Sequence, residues 1–428
     1  MDMQEKQGGN LAAIATMFAL FFMIAFVTNF AGSMGVIVKS QFGASNTASQ
    51  LGSAANFFAY LFMGVPAGLI LKRKGYKFTS LLACAVGFAG VGVQLASGYV
   101  ESFVVYVIGA FIAGFSMCLL NIVVNPLLNN LGGGGNKGNQ LVQIGCSINS
   151  IGATLAPIVL GYLVGNEVAK AKVADAAPAL MIAMGLFALA FVIVALSRIP
   201  EPHLETAAEK ADRLSGKTSV VKDIVAAFGF RHFTLGALAI FFYIVIESGI
   251  PNMANLYMTT EKFGEVANPG FVGAAIAGSV CGAYWFCMML GRIAGGALGA
   301  KISPKVMISF CGLAGIGLML ATMFTPVKMV TVFGKQFPMA MCFMALAGLC
   351  TSVMWGGIFS LATEKLGKLV PMASGIFMAM VVGGVMLPVQ GFVADKIGIL
   401  NSYWVTIGLF AYVLLYALFF SKPSAKAE

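Results

Sequence analysis

The chain has 428 residues, of which 59% are hydrophobic and 10% charged, with a mean hydropathy of +0.91 and a formal net charge of +10. Soluble chains run at about 45–50% apolar and about 25% charged, so a soluble globule of this size is excluded. Disorder and a collagen-like repeat are excluded too, because the 14 prolines are scattered and the 52 glycines show no three-residue period.

Long apolar stretches, in place of ten-residue alternating ones, predict helices that satisfy their own backbone and argue against a β-barrel. At about 20 residues per crossing, the pattern predicts twelve spans, near 11–38, 50–71, 78–97, 102–130, 140–165, 176–197, 232–258, 270–300, 305–325, 334–363, 369–394 and 401–420. The start, Met1 to Asn10, is polar and mixed in charge. The first span is too long for a signal-peptide core, so it is expected to stay in the mature protein.

Twelve crossings return both termini to one side. That side carries Lys6, Lys72, Arg73, Lys74, Lys77, Lys137, Lys301, Lys305, Lys365, Lys368, Lys422 and Lys426, together with the loop from Arg198 to Arg231. The opposite loops keep Lys39, Lys170, Lys172, Lys262, Lys328, Lys335 and Lys396. The positive-inside rule therefore predicts cytoplasmic termini and a multi-pass protein of a bacterial-type inner membrane. Basic residues placed at successive turns do not form one soluble face, so no nucleic-acid partner is expected.

In the fourth span Asn121 and Asn125 are four apart and share a face, and in the fifth Gln143, Cys146 or Ser147, and Asn149 or Ser150 follow helical spacing. With aromatic platforms at Tyr60, Tyr243, Tyr284, Trp285 and Trp355, these amides are suited to a sugar: donors and acceptors for hydroxyls, and a π face for ring C–H groups. Interhelical hydrogen bonding is the competing reading of any single amide. Gly132 to Gly135, with Asn136-Lys137-Gly138, does not make a phosphate loop, since no Ser or Thr follows the lysine and no strand precedes it. Direct ATP drive is not expected.

The stretch from Arg198 to Arg231 divides the chain into bundles at 1–197 and 232–428 with a linker at 198–231, and its alternating charges allow one short surface helix. Self-similarity crosses that divide. Gly152 and Pro157 in the fifth span match Gly383 and Pro388 in the eleventh, and Phe21-Phe22 match Phe241-Phe242. Two parallel six-helix repeats predict a secondary transporter that rocks about a midplane site.

Glu247, in the seventh span, is the one acidic residue read as lying well inside a span. A central Asp, Arg or Lys costs about 2.5–3.5 kcal/mol to insert, so an intramembrane carboxylate is a functional candidate by default. It is taken as the coupling site. Its carboxyl group suits proton exchange, while Ser248 and carbonyls freed by Pro251 suit a sodium ion instead; a structural Glu is the competing reading. Arg292, near the terminal end of the eighth span, is read as a gate or as snorkelling to the surface, leaving no cation at the midplane. The eight cysteines lie within spans without a CxxC pair, and His203 and His232 sit at or beside the central loop. Neither a metal site nor a hydrolytic triad is expected, nor any cofactor beyond a coupling ion.

Asn125-Pro126-Leu-Leu-Asn-Asn-Leu131-Gly132, Gln143-Ile-Gly-Cys-Ser-Ile-Asn149-Ser150-Ile-Gly152, and Trp355-Gly-Gly-Ile-Phe-Ser-Leu through Gly383-Gly-Val-Met-Leu-Pro388-Val-Gln-Gly391-Phe-Val-Ala-Asp395 resemble the fucose–proton symporter and glucose/galactose transporter family of the major facilitator superfamily. The resemblance follows the order of the whole chain and implies the major facilitator fold and sugar transport; a hexose or short oligosaccharide is the expected substrate and a monomer the expected state. It assigns Asn149 to a fifth-span sugar amide, puts Cys146 in place of a glutamine, and gives Trp355 the place of a tenth-span aromatic. The family's first-span aspartate falls in the region Asn29 to Gly35, and Asn121 stands where its fourth-span glutamate would be, so both acids are absent. Cation-coupled sugar symport is the leading expectation, with a drug/proton antiporter or a facilitated-diffusion carrier as alternatives. A transporter-like receptor has little room for a signalling appendage.

Overall fold

The computed structural model describes residues 2–132, 135–164, 172–202, 204, 206, 220–261, 272–298, 302–366 and 369–423. Among these, eleven helical stretches are long and apolar enough to cross a membrane, and the shorter apolar helix Leu51–Gly64 supplies the twelfth crossing. Span 1 is Leu11–Phe42, span 4 Phe103–Leu131, span 5 Ile144–Val164 and span 6 Ala177–Leu196. Spans 7 to 12 are Arg231–Thr260, Ala274–Leu298, Pro304–Phe324, Ala340–Thr363, Gly375–Ile397 and Leu400–Phe420.

Spans 2 and 3 lie in one helical segment, Leu51–Tyr99, which reverses at Gly75 (φ 85°, ψ 176°), a backbone conformation open only to glycine. Asn56 Nδ2 donates to Ala110 O, and Gly52 meets the Tyr106 ring, so the first arm runs parallel to span 4. The second arm runs antiparallel to it, because Gly87 faces Ser116 while Gln94 faces Gly109. At the turn the Glu201 carboxylate accepts from the backbone N–H groups of Tyr76 and Lys77, and Lys77 Nζ donates to Ala195 O and Ser197 O. Glu201 thus caps the start of span 3, whose first N–H groups lack intrahelical partners.

The repeat is visible in the packing. A Cβ built on Gly152 would strike the Phe22 carbonyl, and one built on Gly383 would strike the Phe241 carbonyl. Span 5 therefore presses on span 1 as span 11 presses on span 7, each through a small residue that lets two backbones approach closely. The fold is an all-α membrane architecture of two six-helix bundles related by a parallel repeat.

Two local expectations change, and a third falls largely outside the described residues. Residues 334–339 do not begin a span: Met329–Val332 and Lys335–Pro338 pair as an antiparallel hairpin, turning through Phe333 and Gly334 at positive φ, and span 10 starts at Ala340. Span 11 is a composite of helix Val370–Ala379, a tighter turn Met380–Met386 and helix Leu387–Ile397. In the 198–231 segment the described helix is Val220–Phe228, whereas the charged run expected to be helical lies largely outside the described residues.

The bundles meet along two seams, span 5 on span 8 and span 2 on span 11, with span 1 touching span 7. On the face opposite the termini they close against one another. Ser33, Ile37, Pro157, Gly161, Asn255 and Gly278 leave a cavity of only 20 Å³ there, about the size of one water-sized probe.

Candidate functional site

Span 7 carries Pro251, which has no N–H to return to the carbonyl of Glu247. The freed carbonyl accepts instead from the Tyr284 hydroxyl of span 8 at 3.1 Å, and the same hydroxyl lies 3.1 Å from Thr351 Oγ1 of span 10. The Tyr284 hydroxyl uses one of the two lone pairs of that carbonyl. One turn earlier on span 7, Tyr243 donates to Glu247 Oε1 at 2.8 Å, its ring 6.2 Å from Trp355.

Arg292 does not snorkel. Its guanidinium turns into the protein, and Nη2 lies 3.3 Å from Glu247 Oε1. Nη1 crosses to the other bundle and donates to Cys146 O at 3.0 Å and Ser150 Oγ at 2.8 Å, both on span 5. The expectation of no cation deep in the membrane fails for this reason. The Arg292 and Glu247 side chains retain 14% and 16% exposure, so the pair faces the space between the bundles without being dissolved in it. Two opposite charges and a bundle-crossing fork make one compact polar centre, in which each charge compensates the other's desolvation.

The amides lie on the other bundle. Asn121 Nδ2 donates to the Tyr60 hydroxyl and to Met117 O, both at 3.0 Å. Asn125 Nδ2 donates to Asn121 O at 3.0 Å, Asn29 Nδ2 to Ala25 O at 2.9 Å, and Asn149 Nδ2 to the Phe21 carbonyl of span 1 at 2.9 Å. All four, with Trp355, are half-buried, whereas Tyr60 and Tyr284 are buried. The Gln143 side chain lies outside the described residues. The structure thus joins Glu247, Arg292, Tyr243, Tyr284 and Cys146 directly, brings in Trp355 through Tyr243, and pairs Asn121 with Tyr60. Among the described residues no hydrogen bond ties that amide pair to the charged centre.

Two partners escaped the sequence reading: Ser150 as the far anchor of Arg292, and Thr351 beside Tyr284. Helical spacing placed Ser150 on the inward face, which was the available signal; Thr351 gave none. A groove of 350 Å³ between spans 1, 5 and 6 is lined by Phe18, Phe22, Met23, Ile148, Leu186 and Ile193, and offers a polyol almost nothing polar.

Comparison with known proteins extends the picture over the whole chain. A putative glucose/galactose transporter of Helicobacter pylori strain J99 is 28% identical, over 96% of this chain and 98% of that one. The L-fucose-proton symporter of Escherichia coli K12 is 22% identical over 98% and 96%. Among solved structures, the E. coli fucose:proton symporter superposes with a TM-score of 0.64 at 19% identity, covering 98% of this chain and all of that one. A D-xylose-proton symporter superposes with a TM-score of 0.69 at 15% identity, over 96% and 98%. These relatives are transporters and not enzymes, and the model of the Major Facilitator Superfamily matches residues 16–381. The chain belongs to the Major Facilitator Superfamily, as a multi-pass membrane transporter.

Proposed function

We propose that this transporter takes up a sugar, a hexose or short oligosaccharide, by proton-coupled symport. The observation that carries the reading is the Glu247–Arg292 centre, a titratable carboxylate 3.3 Å from a guanidinium that also grips the other bundle. A group able to take up and release a proton between two moving bodies is what alternating-access coupling requires. Proton is favoured over sodium because relatives of this chain are named proton symporters. The bundles 1–197 and 232–428 rock about the linker 198–231, in a monomer of a bacterial-type inner membrane.

Sugar recognition is assigned to Asn29, Tyr60, Asn121, Asn125, Gln143, Cys146 and Asn149 of the first bundle and Tyr284 and Trp355 of the second. Amides offer the donor–acceptor pairs that match hydroxyls, and the half-buried Trp355 indole offers a face for ring C–H groups. Glu247 is the coupling acid and Arg292 the gate. With basic residues crowding the terminal face, that face is cytoplasmic, and the closed opposite face makes this conformation one that opens inward.

Counterflow of radiolabelled hexoses and short oligosaccharides in proteoliposomes tests the reading. Exchange of one sugar, with accumulation under an inward proton gradient and none under a sodium gradient, is the expected result. Equilibration without accumulation would make the chain a facilitated-diffusion carrier, and resistance to many drugs without sugar exchange would make it an antiporter.

A further inference from the structure

The face opposite the termini is held by a polar contact that neither the proposed sugar centre nor the proton site uses. Asp395 ends span 11 in the second bundle, and its carboxylate reaches the loop after span 1 in the first. Oδ1 accepts from Asn46 N at 2.8 Å; Oδ2 accepts from Thr47 N at 2.9 Å and from Thr47 Oγ1 at 2.6 Å. Three donors on one carboxylate make a charge-assisted contact, the strong class of hydrogen bond. One turn earlier, Gly391 packs so closely on the Asn46 carbonyl and Thr47 Cα that a Cβ there would clash. Lys39 Nζ donates to Asn46 Oδ1 at 2.7 Å, tying the loop back to span 1.

Two further contacts close the same face. Between these flanks, Asn252 Nδ2 of span 7 donates to Gln50 Oε1 at 3.1 Å. On the far flank, Lys335 of the hairpin lies 2.7 Å from Ser279 Oγ of its own bundle and 3.3 Å from the Tyr162 hydroxyl of the first. Of the three, only the Asp395 contact sets an ionised group against backbone N–H donors of the other bundle. Those donors cannot be re-satisfied by a rotamer change, so the carboxylate must leave for water when the bundles part.

We propose that Asp395 is the positioning residue of the gate on the face opposite the termini. It holds that mouth shut while the cavity opens toward the terminal face, and its release from Asn46 and Thr47 is a step of the return to the other conformation. This rests on alternating access between the two bundles and not on the identity of the sugar or the coupling ion.

The test uses a cysteine-free full-length background carrying one reporter at a time. Ile37→Cys sits in the sealed mouth, at 1% exposure; Phe359→Cys sits half-buried in the terminal half of span 10. Asp395→Ala is expected to raise labelling of Ile37→Cys by a membrane-impermeant maleimide, applied from the opposite face, at least tenfold. That factor corresponds to about 1.4 kcal/mol in the gate equilibrium. Labelling of Phe359→Cys from the terminal face should fall at the same time, because the two mouths exchange. A merely structural role would raise both. Thr47→Val, which removes the hydroxyl and keeps the two backbone donors, should give a smaller shift in the same sense, about threefold, and keeps the question decidable if Asp395→Ala does not reach the membrane. Asp395→Glu should return labelling toward the parent. Unchanged labelling of Ile37→Cys in folded Asp395→Ala, or a rise at both reporters, would overturn the proposal; retained sugar exchange with altered labelling would leave the transport reading standing.

Discussion

Glu247→Gln separates charge from shape at the centre of the proposed mechanism. The amide oxygen can still accept from the Tyr243 hydroxyl, 2.8 Å away in the parent, and Arg292 keeps its bonds to Cys146 O and Ser150 Oγ. The carboxylate at 3.3 Å from Arg292 is lost. A hydrogen bond to a charged group contributes about 1.5–3 kcal/mol, so the variant should be less stable by about that amount. Adding Arg292→Gln should recover most of it, since the uncompensated cation then goes as well. The functional effect is larger. A potential of about 100 mV is worth about 2.3 kcal/mol per charge moved, which at about 1.4 kcal/mol per decade supports about 40-fold accumulation of a sugar carried with one proton. Glu247→Gln has no proton to release, so the accumulation ratio in energised proteoliposomes should fall to about one while equilibrium exchange of the same sugar persists. Gradient-driven accumulation by Glu247→Gln at the parent ratio would refute the assignment of the coupling site.

Three further outcomes are expected. Asn121→Ala removes the partner of the Tyr60 hydroxyl, and Asn149→Ala removes that of the Phe21 carbonyl; each should weaken sugar binding about 5–150-fold, equivalent to about 1–3 kcal/mol, as read by isothermal titration, and unchanged affinity in both would move the site elsewhere. Gly75→Ala places a Cβ at φ 85° and against the Glu201 carboxylate, costing about 1–3 kcal/mol and lowering the melting temperature in detergent. Impermeant labelling of single cysteines in intact cells should reach the loops near Glu101 and Lys170 and spare those near Lys74 and Lys137; strong outside labelling of the 72–77 turn would invert the topology.

Legibility in the sequence tracks how local each cause is. The spans come from runs of about twenty apolar residues, and the repeat from two glycines whose spacing to proline matches, so both could be read before any packing was known. Gly152 on Phe22 and Gly383 on Phe241 then explain why those positions must be small. The hairpin at Met329–Pro338 lies half in the expected loop, and only its second strand falls within the expected tenth span, because an apolar stretch of this length does not distinguish a strand from a helix start. Of the two readings of Arg292, gate or snorkelling, only snorkelling fails: the side chain reaches several ångströms either way, and nothing on span 8 records that Glu247, Cys146 and Ser150 stand on two other helices. Asp395 looked like an end-of-span charge, since its donors at Asn46 and Thr47 stand nearly 350 positions away in the chain. Pro251 was read correctly as freeing a carbonyl, while the hydroxyl that claims it came from span 8.

Of the polar crossings between the bundles, those of Asp395 and Arg292 lie on different seams and toward opposite faces, and that separation is what a rocking transporter needs. Asp395 joins span 11 to the loop ahead of span 2 at the face opposite the termini. Arg292 joins span 8 to span 5 deeper in the membrane, toward the terminal end of both helices. Between them the seams are lined by close approaches: Gly161, Gly278 and Gly282 on spans 5 and 8, Gly64 and Gly384 on spans 2 and 11. Small residues let the two bundles approach closely along these seams: Gly161 and Gly278 against backbone, Gly384 against the Phe57 ring. A contact at one mouth can then open without breaking the seam, whereas a contact deep in the seam must respond to whatever occupies the centre. Asp395, bonded to backbone on the opposite face, can set which mouth is shut; Arg292, bonded to both Glu247 and span 5, ties the acid of the proposed symport to the other bundle.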